Sequence, residues 1–336
     1  MAKTKKLLND AKNVITEMLD GVIGAHPDIL RQLESNPRSI VAVDGPRPGK
    51  VGVLIGGGSG HEPAFLGYVG KGLADAAAVG NVFASPAPDP IIEATKAISG
   101  GAGVIYLYGN YAGDVMNFDM AAEMCAMEDI PVRTVLVTDD VASAPADKFK
   151  ERRGVAGDFF VFKVAGAAAD KMKSLDEVVA AAEKANRATL TMGVALGPCS
   201  LPQTLKPNFE IGEDEMEIGM GIHGEPGVAR GPLKSADEVT DNLVDGILAE
   251  LKAGAGDEVA VLVNGLGSTS LMELYIVHRR VKQRLDAAKI KIHKSFVGEY
   301  VTSLEMAGMS VTLMKLDSEL KSYLDHPCRC AMFQVA

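Results

Sequence analysis

Val51-Gly-Val-Leu-Ile-Gly-Gly-Gly-Ser-Gly-His-Glu-Pro63 is an apolar run that dissolves into glycine and then meets a histidine. Val51 to Ile55 has the short, β-branched character of a strand buried on both faces of an α/β sheet. Gly56, Gly57, Gly58, Ser59 and Gly60 predict a turn, with a helix beginning near His61 and Pro63 in its first turn. A strand that ends in glycine at a helix N-terminus presents bare backbone N–H groups to a ligand. An ionisable His61 in such a loop points to chemistry as well as binding.

Nucleotide readings of the loop fail. A dinucleotide fingerprint needs glycine where His61 stands, and a P-loop built on Gly70-Lys71 has Phe65 and Gly72 in the wrong places. The protein-kinase His-Arg-Asp and Asp-Phe-Gly motifs are absent as well. The net charge of −10 over 336 residues, with no basic cluster, argues against a nucleic-acid surface. No apolar run reaches the length of a membrane span, and the basic start at Met1 to Lys6 is interrupted by Asn9, Asp10 and Lys12 before any signal-peptide core. Cys125, Cys199, Cys328 and Cys330 lack CxxC spacing and suit a reducing cytoplasm. A cytoplasmic protein is the expectation.

Outward from the loop, strands are predicted at Ile40 to Val43, Ala76 to Val79, Val104 to Tyr108 and Val132 to Val137. Helical patterns run from Pro63, Asp89 and Asp114, and Leu7 to Val22 reads as an amphipathic N-terminal helix capped by Asn9 or Asp10. This alternation predicts two α/β domains, each a mainly parallel or mixed sheet with flanking helices. The boundary is placed in the Ala-rich helical stretch Ala165 to Arg187, giving domains 1–187 and 188–336. In the second, Leu190 to Leu196, Phe209 to Ile211, Glu258 to Val263, Lys291 to Val297 and Ser310 to Leu316 read as strands. Helices there are expected over Ala236 to Lys252, Thr269 to Leu285 and Asp317 to Leu324.

Three further loops bear on chemistry. Gly219-Met-Gly-Ile-His-Gly-Glu-Pro-Gly227 packs glycines around His223 and echoes Gly60-His-Glu-Pro63. Gly109-Asn-Tyr-Ala-Gly-Asp114 follows a strand, with Asp114 suited to capping a helix or to acid/base work. Asn81-Val-Phe-Ala-Ser-Pro86 follows another strand and brings Ser85 toward the same rim, where open α/β sheets bind ligands. No metal site is expected, because neither His61 nor His223 has a second histidine or cysteine at ligand spacing. His26, His278, His293 and His326 lack a glycine-bounded setting and read as structural.

Taken in order, Gly56 to Pro63, Asn81 to Pro86, Asn110 to Asp114 and Gly219 to Pro226 resemble the substrate-binding K subunit of dihydroxyacetone kinases. The likeness extends from Leu8-Asn-Asp10 and Ala25-His-Pro-Asp28 to Gly308-Met-Ser-Val311. It implies that His223 attacks the ketone carbon and holds a short-chain ketose as a covalent hemiaminal. His61 and Asp114 then serve as acid/base groups at the hydroxyl that receives phosphate, while Gly58 backbone and Ser85 position the substrate. By the same resemblance the first domain's loops line a crevice that the His223 loop closes, and the protein is a homodimer. No cofactor is bound by this chain. ATP or ADP with Mg²⁺ is expected on an L-type partner subunit, since the chain ends at Ala336 without a fused nucleotide domain. The phosphate source is either nucleotide exchange or a phosphocarrier relay. Family relatives that sense the ketone and coactivate a transcription regulator offer the alternative. Sensing does not need His61 and Asp114, so their presence favours turnover.

The chain departs from the pattern at Gly109, where the resemblance leads one to expect lysine. Losing that cation removes a donor and opens volume, which predicts acceptance of a larger ketose such as erythrulose, or altered kinetics with dihydroxyacetone. Phosphorylation assays across three- and four-carbon ketoses check this: a four-carbon ketose should be turned over at least as well as dihydroxyacetone, and strict preference for dihydroxyacetone would refute the larger substrate.

Overall fold

A computed structural model describes residues 4–336, so Met1 to Lys3 of the basic start lie outside the described residues. Two compact units interleave along the chain. The first comprises residues 8–137, 158–185 and 319–336, and the second residues 4–7, 138–157 and 186–318.

The first unit opens with α1 (Val14–Ala25), β1 (Leu30–Gln32), β2 (Ser39–Ala42), β3 (Gly52–Ser59), β4 (Gly70–Lys71) and β5 (Ala76–Val82). It continues through α2 (Pro88–Ile98), β6 (Val104–Gly109), α3 (Ala112–Ala126), β7 (Val132–Val137), α4 (Asp158–Asp170) and α5 (Leu175–Ala188). Its six-stranded sheet has the order β1-β2-β5-β3-β6-β7. The four strands from β5 to β7 are parallel, and β2 and β1 extend the sheet antiparallel at one edge. Because strand residues alternate faces, Leu54, Ala78 and Tyr106 pack with Ile91, Ile92 and Phe118 of α2 and α3. Val53, Ile55, Ile105 and Leu107, equally buried, point the other way, onto the face that α4 covers. Each such aliphatic side chain contributes about 1.5–3 kcal/mol by leaving water. Helix α4 is buried from Asp158 to Ala169, as its all-round apolar sequence requires.

The second unit carries β8 (Thr189–Gly197), β9 (Glu215–Ile218), β10 (Ala229–Pro232), α6 (Ala236–Leu251), β11 (Glu258–Gly265), α7 (Leu271–Ala287), β12 (Lys291–Gly298) and β13 (Ala307–Leu316). The order β10-β9-β8-β13-β11-β12 gives a mixed sheet in which β11 and β12 run parallel and the other pairings antiparallel. Helices α6 and α7 start in capping boxes, Ser235 with Glu238 and Ser270 with Glu273. Their apolar stripes, among them Leu243, Ile247, Val277 and Val281, cover Val259, Val261, Val311 and Leu313.

Several expectations change. The predicted helix at Pro63 does not form; the chain turns and makes only a short 3-10 segment at Leu66–Tyr68. The N-terminal helix starts at Val14 rather than Leu7, with Asn13 at its cap position, and Asp10 instead accepts a bond from the Lys12 N–H at 2.9 Å. Phe209 to Ile211 is not a strand, whereas β9 and β10 were not foreseen: their burial patterns do not alternate cleanly. The expected division at residue 187 also differs from the observed units in three places, the first being residues 4–7, which belong to the second unit. Residues 138–157 join the second unit because Thr191 donates to the Asp139 carbonyl at 2.8 Å and buried Arg152 pairs with Glu250 at 2.7 Å. The tail, after α8 (Ser318–Leu324), returns to the first unit as β14 (Cys328–Cys330) and β15 (Gln334–Val335). There β14 pairs with β4 and β15, and Lys163 of α4 donates to the Tyr323 and His326 carbonyls at 3.1 and 2.6 Å.

Gly166 is what lets α4 approach the chain at Leu73, since a Cβ there would lie 2.4 Å from Leu73 backbone atoms. Gly166→Ala is expected to destabilise the protein by about 1–3 kcal/mol through overpacking, read as a lowered midpoint in thermal or denaturant unfolding.

Candidate active site

In the first unit β5, β3 and β6 are adjacent and parallel, so the loops that leave their carboxyl ends share one rim. The β3 loop carries His61, the β5 loop Phe83 to Ser85, and the β6 loop Asn110 to Asp114. His61 is 2% exposed, and its ring stacks on Phe83 with centroids 5.0 Å apart. Phe83 adopts a positive φ of 53°, an uncommon backbone state for a bulky residue. Gly58 explains how the two loops come so close: a Cβ there would lie 2.7 Å from the Ala84 nitrogen. Ser85 sits against α3, where Asn117 Nδ2 donates to its Oγ at 3.4 Å and to the Pro86 carbonyl at 2.8 Å.

Asp114 lies in the first turn of α3, 9% exposed, where the helix dipole favours a carboxylate. It is not the cap expected from its position, because Tyr111 occupies the cap site without a side-chain bond. Burial pushes the nearby Tyr108 phenol well above its usual range, and the negative charges of Asp119 and Asp114 add to the shift. Tyr108 therefore stays a neutral phenol beside Asp114. His61, Gly58, Ser85 and Asp114 thus all lie in the first unit on segments that follow β3, β5 and β6, with no helix N-terminus at His61.

His223 belongs to the second unit, in the loop 219–228 that joins antiparallel β9 and β10. Its ring Nδ1 lies 2.8 Å from Glu225 Oε1, and its backbone N–H donates to Glu225 Oε2 at 2.8 Å. The His223 carbonyl accepts from Asn208 Nδ2 at 2.9 Å, and the Ile222 carbonyl accepts from Ser303 Oγ. With its side chain 25% exposed, the imidazole is both braced and reachable. Burial works to raise the pKa of Glu225, but the hydrogen bond and charge of His223 outweigh it and bring the carboxyl down to about 2.

Glu225 is the residue that sequence reading missed, and the echo between the two histidine loops was the signal. In each loop a glutamate accepts the backbone N–H two residues before it: Glu62 from Gly60 at 3.0 Å, Glu225 from His223. The environments then diverge, since burial leaves Glu62 with a raised pKa. His278 and His326 have local partners, Ser295 Oγ at 2.8 Å and the Asp170 carboxylate at 2.7 Å, in keeping with structural roles. Among the described residues no group of three or more His, Cys, Asp or Glu side chains could hold a metal ion, and no helix is long and apolar enough to cross a membrane.

These features define a protein of two α/β units, each carrying a glycine-bounded histidine loop. Residues 20–332 match the Dak1 domain, and the chain belongs to that family. It is 51% identical over 331 residues, 98% of this chain and 99% of the relative, to a PTS-dependent dihydroxyacetone kinase 2, dihydroxyacetone-binding subunit DhaK, of Listeria innocua. It is 42% identical to an L-erythrulose kinase of Pectobacterium atrosepticum, covering 98% of this chain but 56% of that protein. Among solved structures, the native dihydroxyacetone kinase of C. freundii superposes with a TM-score of 0.91 at 34% identity, covering 99% of this chain and 60% of that one.

Glu225 also makes the His223 loop acid-sensitive. Its folded pKa of about 2 lies below the ordinary value of 4.5, so its contribution is complete above pH 4.5 and is lost as pH falls through about 2. Carboxyl titration followed by NMR should place its midpoint near that value, with amide shifts in 221–225 changing together; a midpoint near 4.5 would show the brace is absent in solution.

Proposed function

We propose that this chain is the ketose-binding subunit of a dihydroxyacetone kinase, presenting dihydroxyacetone or a larger short-chain ketose for phosphorylation of a terminal hydroxyl. The observation that carries the reading is the His223 imidazole, braced yet reachable, in a chain that matches a dihydroxyacetone-binding subunit over nearly all of both lengths. A carbonyl accepts a nitrogen nucleophile and a polyol such as glycerol does not, so bonding through His223 selects ketones by reactivity as well as shape.

His61 and Asp114 serve as the acid/base pair at the accepting hydroxyl, with Gly58 backbone and Ser85 holding the substrate. Phosphoryl transfer depends mainly on position and charge stabilisation, which suits a covalently anchored acceptor. The phosphate reaches it from an L-type partner that carries ATP or ADP with Mg²⁺, or through a phosphocarrier subunit. We further propose that the protein works as a homodimer in the cytoplasm. Gly109, buried at the end of β6, brings no cationic side chain to the site, and on this reading that lets a four-carbon ketose be accepted. A purely sensing, coactivator role would need the ketone bond alone and would leave His61 and Asp114 without a task.

With carbon-13 dihydroxyacetone, the wild-type protein should move the carbonyl resonance into the sp³ region, and His223→Ala should abolish that change. Asp114→Ala should keep the adduct and lower kcat by about 10²-fold or more in the presence of the partner subunit. An adduct surviving in His223→Ala would remove the nucleophile assignment.

A further inference from the structure

Both oxygens of the Glu225 carboxylate turn back onto His223. One oxygen meets the His223 ring at Nδ1 and the other takes the His223 backbone N–H, each at 2.8 Å. Rotating the imidazole out of this pose breaks the ring bond while the backbone bond still holds the carboxylate in place. Glu62, in the corresponding position of the other loop, directs both carboxylate oxygens to the Gly60 N–H, at 3.0 and 3.2 Å.

The surroundings preserve this arrangement. A Cβ on Gly221 would lie 2.2 Å from Glu225 Oε2 and 2.6 Å from Arg153 Nη1, so the absence of a side chain there brings carboxylate and guanidinium toward each other. Arg153 is itself fixed, donating through Nη2 to the Gly219 carbonyl at 3.0 Å and through Nε to Asp140 Oδ2 at 3.0 Å. Arg153 is paired with Asp140, and it is the hydrogen bonds to His223 that favour the ionised form of Glu225. An ionised carboxylate only accepts hydrogen bonds, so in the neutral ring the nitrogen facing it carries the proton and Nε2 carries the lone pair.

We propose that Glu225 is a positioning residue for the ketose-bonding step: it holds His223 as the Nδ1–H tautomer and takes up the charge the ring acquires on reaction. The inference rests on the reading of His223 as the nucleophile. In the step, the Nε2 lone pair forms the C–N bond, and the carbonyl π pair moves to oxygen, which gains one proton from solvent. The ring, cationic once Nε2 is bonded, gives up its Nδ1 proton along the hydrogen bond to Glu225 and so to solvent. The proton count closes at zero, and nothing is oxidised or reduced. The arrangement is the one by which a buried aspartate orients the histidine of a serine hydrolase.

The test uses the intact protein. Nitrogen-15 NMR of the histidine rings in the wild type should show His223 protonated at Nδ1, a result that needs no variant to fold. In Glu225→Gln the side-chain amide can donate to Nδ1, and the proton should shift to Nε2. Adduct formation with carbon-13 dihydroxyacetone should then slow by about 10-fold or more, given that a wrong tautomer costs a triad about 10⁴. An Nε2–H tautomer in the wild type, or a Glu225→Gln rate within about 2-fold of wild type, overturns the role of Glu225. A wild-type protein that forms no adduct at all overturns instead the nucleophile reading, while the tautomer measurement still reports on the brace.

Discussion

Close backbone approach is the constraint on which both histidine loops depend. At the rim of the first unit, the β3 and β5 loops lie nearer than any side chain at Gly58 would permit, and this contact brings Phe83 onto the His61 ring. In the second unit the bare Gly221 leaves space in which Glu225 and Arg153 face each other. In both places the missing Cβ is used by the protein itself to bring its own groups together. Glycine here shapes the imidazole's surroundings, in addition to any space it leaves for a ligand.

The two imidazoles are held in different ways. His61 is almost wholly buried and stacked on an aromatic ring, a setting that fixes its plane. His223 is partly exposed and braced on one nitrogen by a carboxylate, a setting that fixes its proton. The proposed roles differ in the same way: proton exchange with the accepting hydroxyl for His61, and bond formation through the other ring nitrogen for His223. The neighbouring acids follow the same division. Burial holds the Glu62 carboxyl above its ordinary range, whereas at Glu225 burial is outweighed by the hydrogen bonds to His223.

The stability of the two units comes from different sheets put to similar use. Parallel strands buried on both faces make the first unit's centre, with α4 enclosed by apolar neighbours. The second is a mixed, mostly antiparallel sheet with α6 and α7 across one face. The first places its ligand loops at the carboxyl ends of parallel strands. The second presents His223 from a connection between antiparallel strands, where no helix follows to supply a dipole.

Most of the strands and the longer helices were legible in sequence because apolar periodicity there is strong, as in β3, β6, α6 and α7. The candidate site residues were legible too, because histidine, serine and aspartate beside runs of glycine are chemically conspicuous. The helix expected at Pro63 was not decided by local signals: proline and a polar start are compatible with a helix, but the packing of β3 against the β5 loop leaves the chain in a turn. Membership of 138–157 and of the tail rested on pairings far apart in sequence, such as Arg152 with Glu250 and β14 with β4. The role of Glu225 was hidden for a related reason. Sequence determined that a glutamate stands two residues after His223, but only the folded loop decided that both its oxygens turn back onto that residue, since the direction of a side chain depends on backbone angles that local composition does not specify.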